Sequence, residues 1–497
     1  GRPPRSRYLF KHALIQDAAY QSLLKRTRQQ YHQQVAKLLE DRFPDVVSTQ
    51  PELLAHHYTE ANCPAQAIAY WQKAGVAAAS KSANVEAIDQ FRSGLALVEA
   101  LPDPRERAER ELDLQMALGP ALAATRNYAD PDMGRTYARA WELCEQLGDD
   151  IRGFAALRGL QLHHYGAAEL AKSQHVAEKA LGVAERLGDA ARIVGAHQAL
   201  GAVLYSQGKL TEARTQLQLG LEKFDPASHK FPDWSGSHPA LNCQAFMALT
   251  SWMLGYPDLA RDEAMAAVKD AEALGHPLTL GQTLSHMALI PLFRRELSVG
   301  TDLAARAVHV CEEQNIGQWL GWAVCAHGWA LSASGETEKG SAQIARGLAS
   351  YGPGSTKHLF LALQADVHLT LGMPEAALAS AIVGLEVVEK IEGAPGEAEL
   401  WRLRGEALIA GAGTASEAEA AMQQGIAVAR RQNAKSWELR GATSLAGLWV
   451  GQGRRTEAYD LLAPVYAWFT EGFDTADLKH AKTLLYELAE PAIAAEG

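Results

Sequence analysis

Gly453-Arg-Arg-Thr-Glu457-Ala458 repeats, 40 residues downstream, the phrase Gly413-Thr-Ala-Ser-Glu417-Ala418. Gly208-Lys-Leu-Thr-Glu212-Ala213 is a third copy, and Gly335-Glu-Thr-Glu-Lys339 and Gly372-Met-Pro-Glu375-Ala376 are looser ones. Each lies between two apolar stretches of helical periodicity, and the late copies stand 37, 41 and 40 residues apart. A fixed period of this size marks a helical solenoid, in which each unit buries its apolar face only against its neighbours. The preceding helices repeat as well: Trp401-Arg-Leu-Arg404-Gly405 returns 36 residues later as Trp437-Glu-Leu-Arg440-Gly441. Trp and Arg three apart share a helix face, and the Gly admits a neighbouring helix closely. Ala376, Ala418 and Ala458, at the start of each second helix, are expected to pack in the same way. The reading is an all-α fold, a right-handed superhelical solenoid of antiparallel helix pairs.

The unit is that of tetratricopeptide repeats, with lengths of about 36–47 residues against the usual 34. Stacking also explains how 497 residues can form one array where a single core cannot grow so large. The apolar fraction of 47% with 21% charged residues is that of a folded, soluble chain. No apolar run reaches the roughly 18 residues of a membrane span. Gly1-Arg-Pro-Pro-Arg-Ser-Arg7 has no signal core, and the missing initiator Met suggests a piece of a longer protein. Five dispersed cysteines without a CxxC read as free thiols in a cytoplasmic protein.

The net charge of −11 is uneven. Residues 1–42 carry nine Lys/Arg against three Asp/Glu, which leaves −17 on the rest. An acidic body argues against direct nucleic-acid binding, where phosphate contacts dominate affinity. The expected organisation is a helical segment closing an ATPase-linked module over 1–48, a first array over 49–224 and a Pro-rich irregular loop over 225–239. A second array follows over 240–474, then a capping helix and tail over 475–497. Within these, Asp130-Pro131-Asp132 signals a helix start, and Leu147-Gly148 and Leu187-Gly188 signal helix stops.

Signatures of chemistry are missing from the sequence. Gly208-Lys209 lacks the upstream Gly and the Ser/Thr of a phosphate loop, and neither GxGxxG nor GxSxG occurs. His56-His57 and His163-His164 are adjacent pairs that point about 100° apart on a helix, so neither pair can share an ion as i,i+4 histidines do. No catalytic residue, metal or cofactor is expected. The groove candidates are first-helix residues: Gln282 and His286 on one face, Trp319 and Trp322 with Gln318 and His327, and Arg404 and Arg440. For each the competing reading is helix packing or ion pairing within the chain.

Several stretches carry a family resemblance: Phe10-Lys-His-Ala-Leu-Ile-Gln-Asp-Ala-Ala-Tyr20, Gln50-Pro-Glu-Leu-Leu-Ala-His-His57, Tyr137-Ala-Arg-Ala-Trp-Glu-Leu-Cys-Glu-Gln-Leu-Gly148 and Leu462-Ala-Pro-Val-Tyr-Ala-Trp-Phe-Thr-Glu-Gly-Phe-Asp-Thr475. Through them the chain resembles the C-terminal tetratricopeptide region of bacterial multidomain signalling proteins. In that family a class III nucleotide cyclase or a DNA-binding domain is joined to a STAND/AAA-type ATPase (cyclase-linked or MalT-like regulators). The resemblance implies a non-catalytic sensor or scaffold. It would bind a protein, peptide or small effector in its concave groove and control an upstream ATPase or cyclase in cis. Two alternatives stay open: the chain is a fragment of a cyclase whose catalytic domain lies elsewhere, or it is a structural oligomerisation arm.

Overall fold

The computed structural model describes residues 18, 20–225, 238–350, 356–391 and 393–489. Most of the helix expected from Tyr8 to Leu24, most of the Pro-rich stretch 225–239 and the tail beyond 489 lie outside them. Among the described residues every regular element is helical. In chain order the helices are α1 Lys25–Arg42, α2 Pro44–Thr49, α3 Pro51–Glu60, α4 Pro64–Ser80, α5 Asn84–Leu95, α6 Pro104–Thr125, α7 Pro131–Leu147 and α8 Asp150–Gly166. Then come α9 Leu170–Leu187, α10 Ala190–Ser206, α11 Leu210–Glu222, α12 Pro239–Met253, α13 Pro257–Leu274, α14 Pro277–Met287, α15 Leu289–Phe293, α16 Leu297–Glu313 and α17 Gly317–Ala333. The last are α18 Thr337–Ser350, α19 Lys357–Thr370, α20 Pro374–Lys390, α21 Glu397–Ala410, α22 Ala415–Arg431, α23 Lys435–Gly451, α24 Arg455–Ala467 and α25 Ala476–Ala489. Helix α5 stops at Leu95, and a 3₁₀ turn covers Val98–Ala100. Each helix packs mainly on the next along the chain, the pattern of a solenoid. The chain forms two compact units, Gly1–Gly159 and Leu160–Gly497, the division falling within α8.

One turn joins most helix pairs. A residue with positive φ ends the first helix, a single linker residue follows, and the second helix begins. Gly208, Gly335, Gly372 and Gly453 of the repeated phrase all hold this position. Asn62, Ser82, Ala168, Arg295, Asn315 and Asn433 hold it elsewhere. The linker N–H reaches back to a carbonyl in the last turn of the preceding helix, as Lys209 N does to Leu204 O at 2.9 Å and Arg454 N to Trp449 O at 2.9 Å. This is the Schellman stop, which satisfies carbonyls that the helix end leaves free. Gly413 is the exception. Its φ is not positive, and Thr414 and Glu417 form a reciprocal capping box instead.

Five residues after the turn position, counting Gly255 and Gly413 with the others, a small buried residue stands in ten of the units: Ala67, Ala87, Ser173, Ala213, Ala260, Gly300, Gly340, Ala377, Ala418 and Ala458; Asn315 and Asn433 are followed instead by Leu320 and the buried Glu438. In the Gly372 copy the packing residue is therefore Ala377, and Ala376 is only half-buried; Pro374 shifts the Glu-Ala pair by one. The closest approach of one helix backbone to another at a glycine is α17 on α18, where a Cβ on Gly340 would stand 2.4 Å from Gly328 O and 2.8 Å from Ser332 N. Both are backbone atoms and cannot swing aside. Gly340→Ala is expected to destabilise unit 2 by about 1–3 kcal/mol in urea unfolding. Ser82 is exposed and strained at φ 60°, so Ser82→Gly should instead stabilise unit 1, by ~1 kcal/mol at most, in the same measurement.

Helix stops and starts follow the sequence signals. Gly148 and Gly188 are left-handed caps, and Asp130 accepts from Asp132 N at 2.8 Å with Pro131 in the first turn. The final helix α25 buries Leu478 and Leu484 while Lys479, His480, Lys482 and Glu487 face solvent.

Candidate functional site

Within unit 2 the first helices of successive pairs, α12, α14–α15, α17, α19, α21 and α23, turn their apolar sides inward. Their aromatic rings join from unit to unit. His286 lies 5.5 Å from Phe246, 5.0 Å from Trp319 and 4.6 Å from Trp322, and Trp322 lies 4.9 Å from Phe360. A second set joins Trp252 to Phe293 at 4.5 Å and to Trp437 at 4.7 Å. The Trp252–Trp437 contact connects α12 to α23, helices far apart in the sequence, so the inner face of the array meets itself.

This closure is held by helix ends. Ser436 Oγ donates to Trp252 O at 2.5 Å, and Arg440 Nη2 donates to Phe293 O at 2.8 Å. Those carbonyls end α12 and α15, where the backbone has acceptors to spare and negative dipole character. On the same seam Glu471 Oε1 accepts from Asp258 N at 2.8 Å and Leu259 N at 3.0 Å, capping the first turn of α13. Gly472 N donates to Asp258 Oδ2 at 2.9 Å. Arg294, fully buried, bridges Asp258 at 2.8 Å and Glu296 at 2.7 Å.

The predicted groove residues fall into this interior. Gln282, His286, Trp322 and Arg440 are buried, and what they meet is the chain itself rather than an open groove. Arg440 stacks over Trp437 and Trp252, pairs with Asp477 at 2.7 Å and lies 3.5 Å from Glu399. Glu399 takes both arms of Arg402 at 2.7 and 2.8 Å. Burial pushes the Glu399 carboxyl up, but the guanidiniums of Arg402, Arg440 and Arg295 outweigh it and hold it below the usual range. Burial pushes His286 down to about 4 against the bond from its Nδ1 to Gln282 O at 3.0 Å, so the ring is neutral at physiological pH. Trp319 and Arg404 keep some surface, and Arg404 lies over Trp401 as the three-residue spacing requires. His327 is half-buried, with its ring also pushed down by burial.

The histidine doublets are part of local packing. His57 Nδ1 lies 2.8 Å from His32 Nδ1, and His164 Nδ1 lies 2.6 Å from Glu169 Oε2. Among the described residues no group of three His, Cys, Asp or Glu is arranged to hold a metal ion, and no helix is long and apolar enough to cross a membrane. All five cysteines are free, four of them buried.

Two surfaces have chemistry that helix packing does not use. The first is on α1. One side, with Ala36 and Leu39, packs on Leu54, Ala55 and Tyr58 of α3 and on Ala67 and Tyr70 of α4. Glu40 accepts the hydroxyls of Tyr58 and Tyr70. The other side leaves Tyr31, Val35 and Leu38 exposed at 53%, 38% and 46%, on one helical stripe. Leu24 and Phe43, also exposed, lie just beyond the two ends of α1, and Arg28 and Arg42 adjoin the stripe in helical register, with Lys25, Arg26 and Lys37 elsewhere on the same helix. The excess of basic charge over residues 1–42 is legible in the sequence, but the period alone does not say which of two apolar sides of α1 finds a neighbour.

The second surface is a cleft of about 320 Å³ on the closure seam of unit 2. It is lined by Thr211, Arg214, Thr215 and Gln218 of α11, by Leu254 and Tyr256 of the α12–α13 turn, by Asn433 and Lys435 at the start of α23, and by Trp468 at the end of α24. No sequence motif marks it, because its walls come from helices two hundred residues apart.

No protein-family model matches this sequence. An uncharacterised protein of Rhizobium meliloti strain 1021 (R02095) is 23% identical over 335 residues, which covers 65% of this chain and 32% of that protein. The chain thus spans about a third of the length of the relative it matches. Among solved structures, a Rap protein complexed with competence and sporulation factor aligns at TM-score 0.49 and 10% identity, over 79% of this chain and 99% of that one. Yeast Tom70 aligns at 0.35 and 11%, over 92% and 96%. A tetratricopeptide repeat protein of Parabacteroides merdae aligns at 0.33 and 12%, over 62% and 98%.

Proposed function

We propose that this chain is a non-catalytic tetratricopeptide-like interaction scaffold, and that it docks and regulates an ATPase or cyclase module carried in cis ahead of it. The observation that carries this reading is the stripe Tyr31–Val35–Leu38 on α1, exposed among the described residues, on a helix whose 18 residues include Lys25, Arg26, Arg28, Lys37 and Arg42. A contiguous apolar stripe with a polar rim is the anatomy of a protein interface. Its place at the start of the array suits a neighbour on that side. The relative's greater length fits the same view, since a segment like this one there belongs to a longer polypeptide. On the inner face, Trp319 and Arg404 are the positions that a peptide or small effector could still reach. Such an effector acts by favouring one arrangement of the array over another, and so the state of the docked module.

The test uses the segment encoded directly upstream of Gly1, purified as a separate polypeptide. It is expected to be retained by this chain and released by the double variant Val35→Glu, Leu38→Glu, whose exposed positions leave folding intact. Equal retention by both proteins, or none by either, defeats the reading.

A further inference from the structure

We propose that the seam cleft of unit 2 binds a short acidic peptide segment, and that the bound segment bridges the two sides of the closure. Thr211, Arg214, Thr215 and Gln218 recur at i, i+3, i+4 and i+7 and so form one polar face of α11. That face runs about 10 Å along the cleft, the reach of roughly three extended residues. None of the lining residues is acidic, although the chain as a whole carries −11.

Both cations retain donors for a ligand. Arg214 makes one long hydrogen bond, from Nε to Ser251 Oγ at 3.4 Å, and lies 3.9 Å from Glu263. Lys435 Nζ bonds Glu438 at 2.7 Å, but Glu438 is shared with Arg430 at 2.7 Å, and an ammonium has two further protons to donate. A guanidinium and an ammonium facing one cleft favour carboxylates through charge-assisted hydrogen bonds. Gln218 and Asn433 supply amide groups suited to a peptide backbone. The aromatic wall is formed by Tyr256 and Trp468, whose rings lie 5.7 Å apart and tilted by 57°. It offers a place for one flat or apolar side chain between the acids.

The cleft also lies where α11 and the α12–α13 turn meet the α22–α23 turn and the end of α24. Gly255 sits so close to Trp468 that a Cβ there would come within 2.6 Å of the ring. A ligand held by Arg214 on one side and Lys435 on the other stabilises the closed arrangement. The site belongs to unit 2 and shares no residue with α1, so either proposal can fail alone.

The experiment is calorimetric titration of the full chain with acetyl-Glu-Phe-Glu-amide, acetyl-Gln-Phe-Gln-amide and glutarate, alongside thermal unfolding. The acidic peptide is expected to bind at least about tenfold more tightly than the neutral one. It should raise the melting temperature of unit 2 by about 2–4 °C near saturation. Arg214→Gln should remove the preference. Thr215→Trp, which fills the cleft from an exposed position and leaves every charge in place, should abolish binding if Arg214→Gln disturbs the fold. Equal affinity for the neutral peptide, or binding unchanged in Thr215→Trp, overturns the site. Glutarate binding as tightly as the acidic peptide overturns the peptide assignment, and no binding at millimolar peptide overturns the proposal whole.

Discussion

Arg440→Met is expected to cost unit 2 about 3–5 kcal/mol, the range for removing one partner of a buried ion pair. Arg440 is only 8% exposed and holds five groups at once: Asp477, Glu399, Phe293 O, and the faces of Trp252 and Trp437. Methionine restores much of the apolar volume but none of the donors. Asp477 then loses its guanidinium, and Phe293 O keeps its desolvation without its bond. Arg440→Lys should recover less than half of the loss, because one ammonium on a flexible stem cannot serve a carboxylate and a helix-end carbonyl in a planar fork. Urea midpoints with near-constant slopes would measure this. A loss below about 1 kcal/mol would mean that water replaces the guanidinium and that the seam is open in solution.

The second large effect is pH-dependent and centres on His286. Its folded-state value of about 4 lies below the 6.5 of the unfolded chain. Above 6.5 both states are neutral and the residue leaves stability independent of pH. As pH falls from 6.5 towards 4, the unfolded chain binds a proton that the folded chain refuses. Stability therefore declines by ~1.4 kcal/mol per pH unit, to a total of about 3 kcal/mol. Other histidines with depressed values, among them His32, His57 and His164, add slopes of the same sign. The measurement is therefore the difference between wild type and His286→Phe. The variant carries a fixed repacking offset at pH 7.5, and by pH 4.5 it should gain about 2–3 kcal/mol relative to wild type. A difference that stays constant between those pH values would show that the ring is reached by water when protonated.

The turns and the helix pairs were legible because their causes are local. A left-handed residue, one linker and a small residue five positions on are constraints within a single unit, and Gly208, Gly372 and Gly453 display them openly. Where Asn433 or Arg295 takes the same conformation the sequence hides it, since these types are common in other settings. The pairing of Trp437 with Arg440 was also legible, and the stacking is as the spacing implies. What Arg440 is for was not. Its partners Phe293 O, Glu399 and Asp477 arrive from other units, and their meeting depends on small rotations summed over five helix pairs. No periodicity in the chain encodes that sum. For the same reason Gln282, His286 and Trp322 looked like the lining of a groove: facing inward is a property of one helix, and being covered is a property of the whole turn. The seam cleft escaped notice because Arg214 and Lys435 are ordinary surface cations until α11 and α23 are brought side by side.

The bond from Ser436 to Trp252 spans 184 residues, and those from Glu471 to Asp258 and Leu259 span 213 and 212. Repeat arrays ordinarily behave as ladders: a rung can be removed or inserted, and the remainder folds as before, because only neighbours interact. Here the ladder is clasped into a hoop, so the number of rungs between the clasps is set. Deleting a single unit between Met253 and Lys435 would leave every local turn intact and still pull the two ends out of register. The same clasp makes folding wait for distant segments to meet, which ties the fate of the whole stretch to one late event.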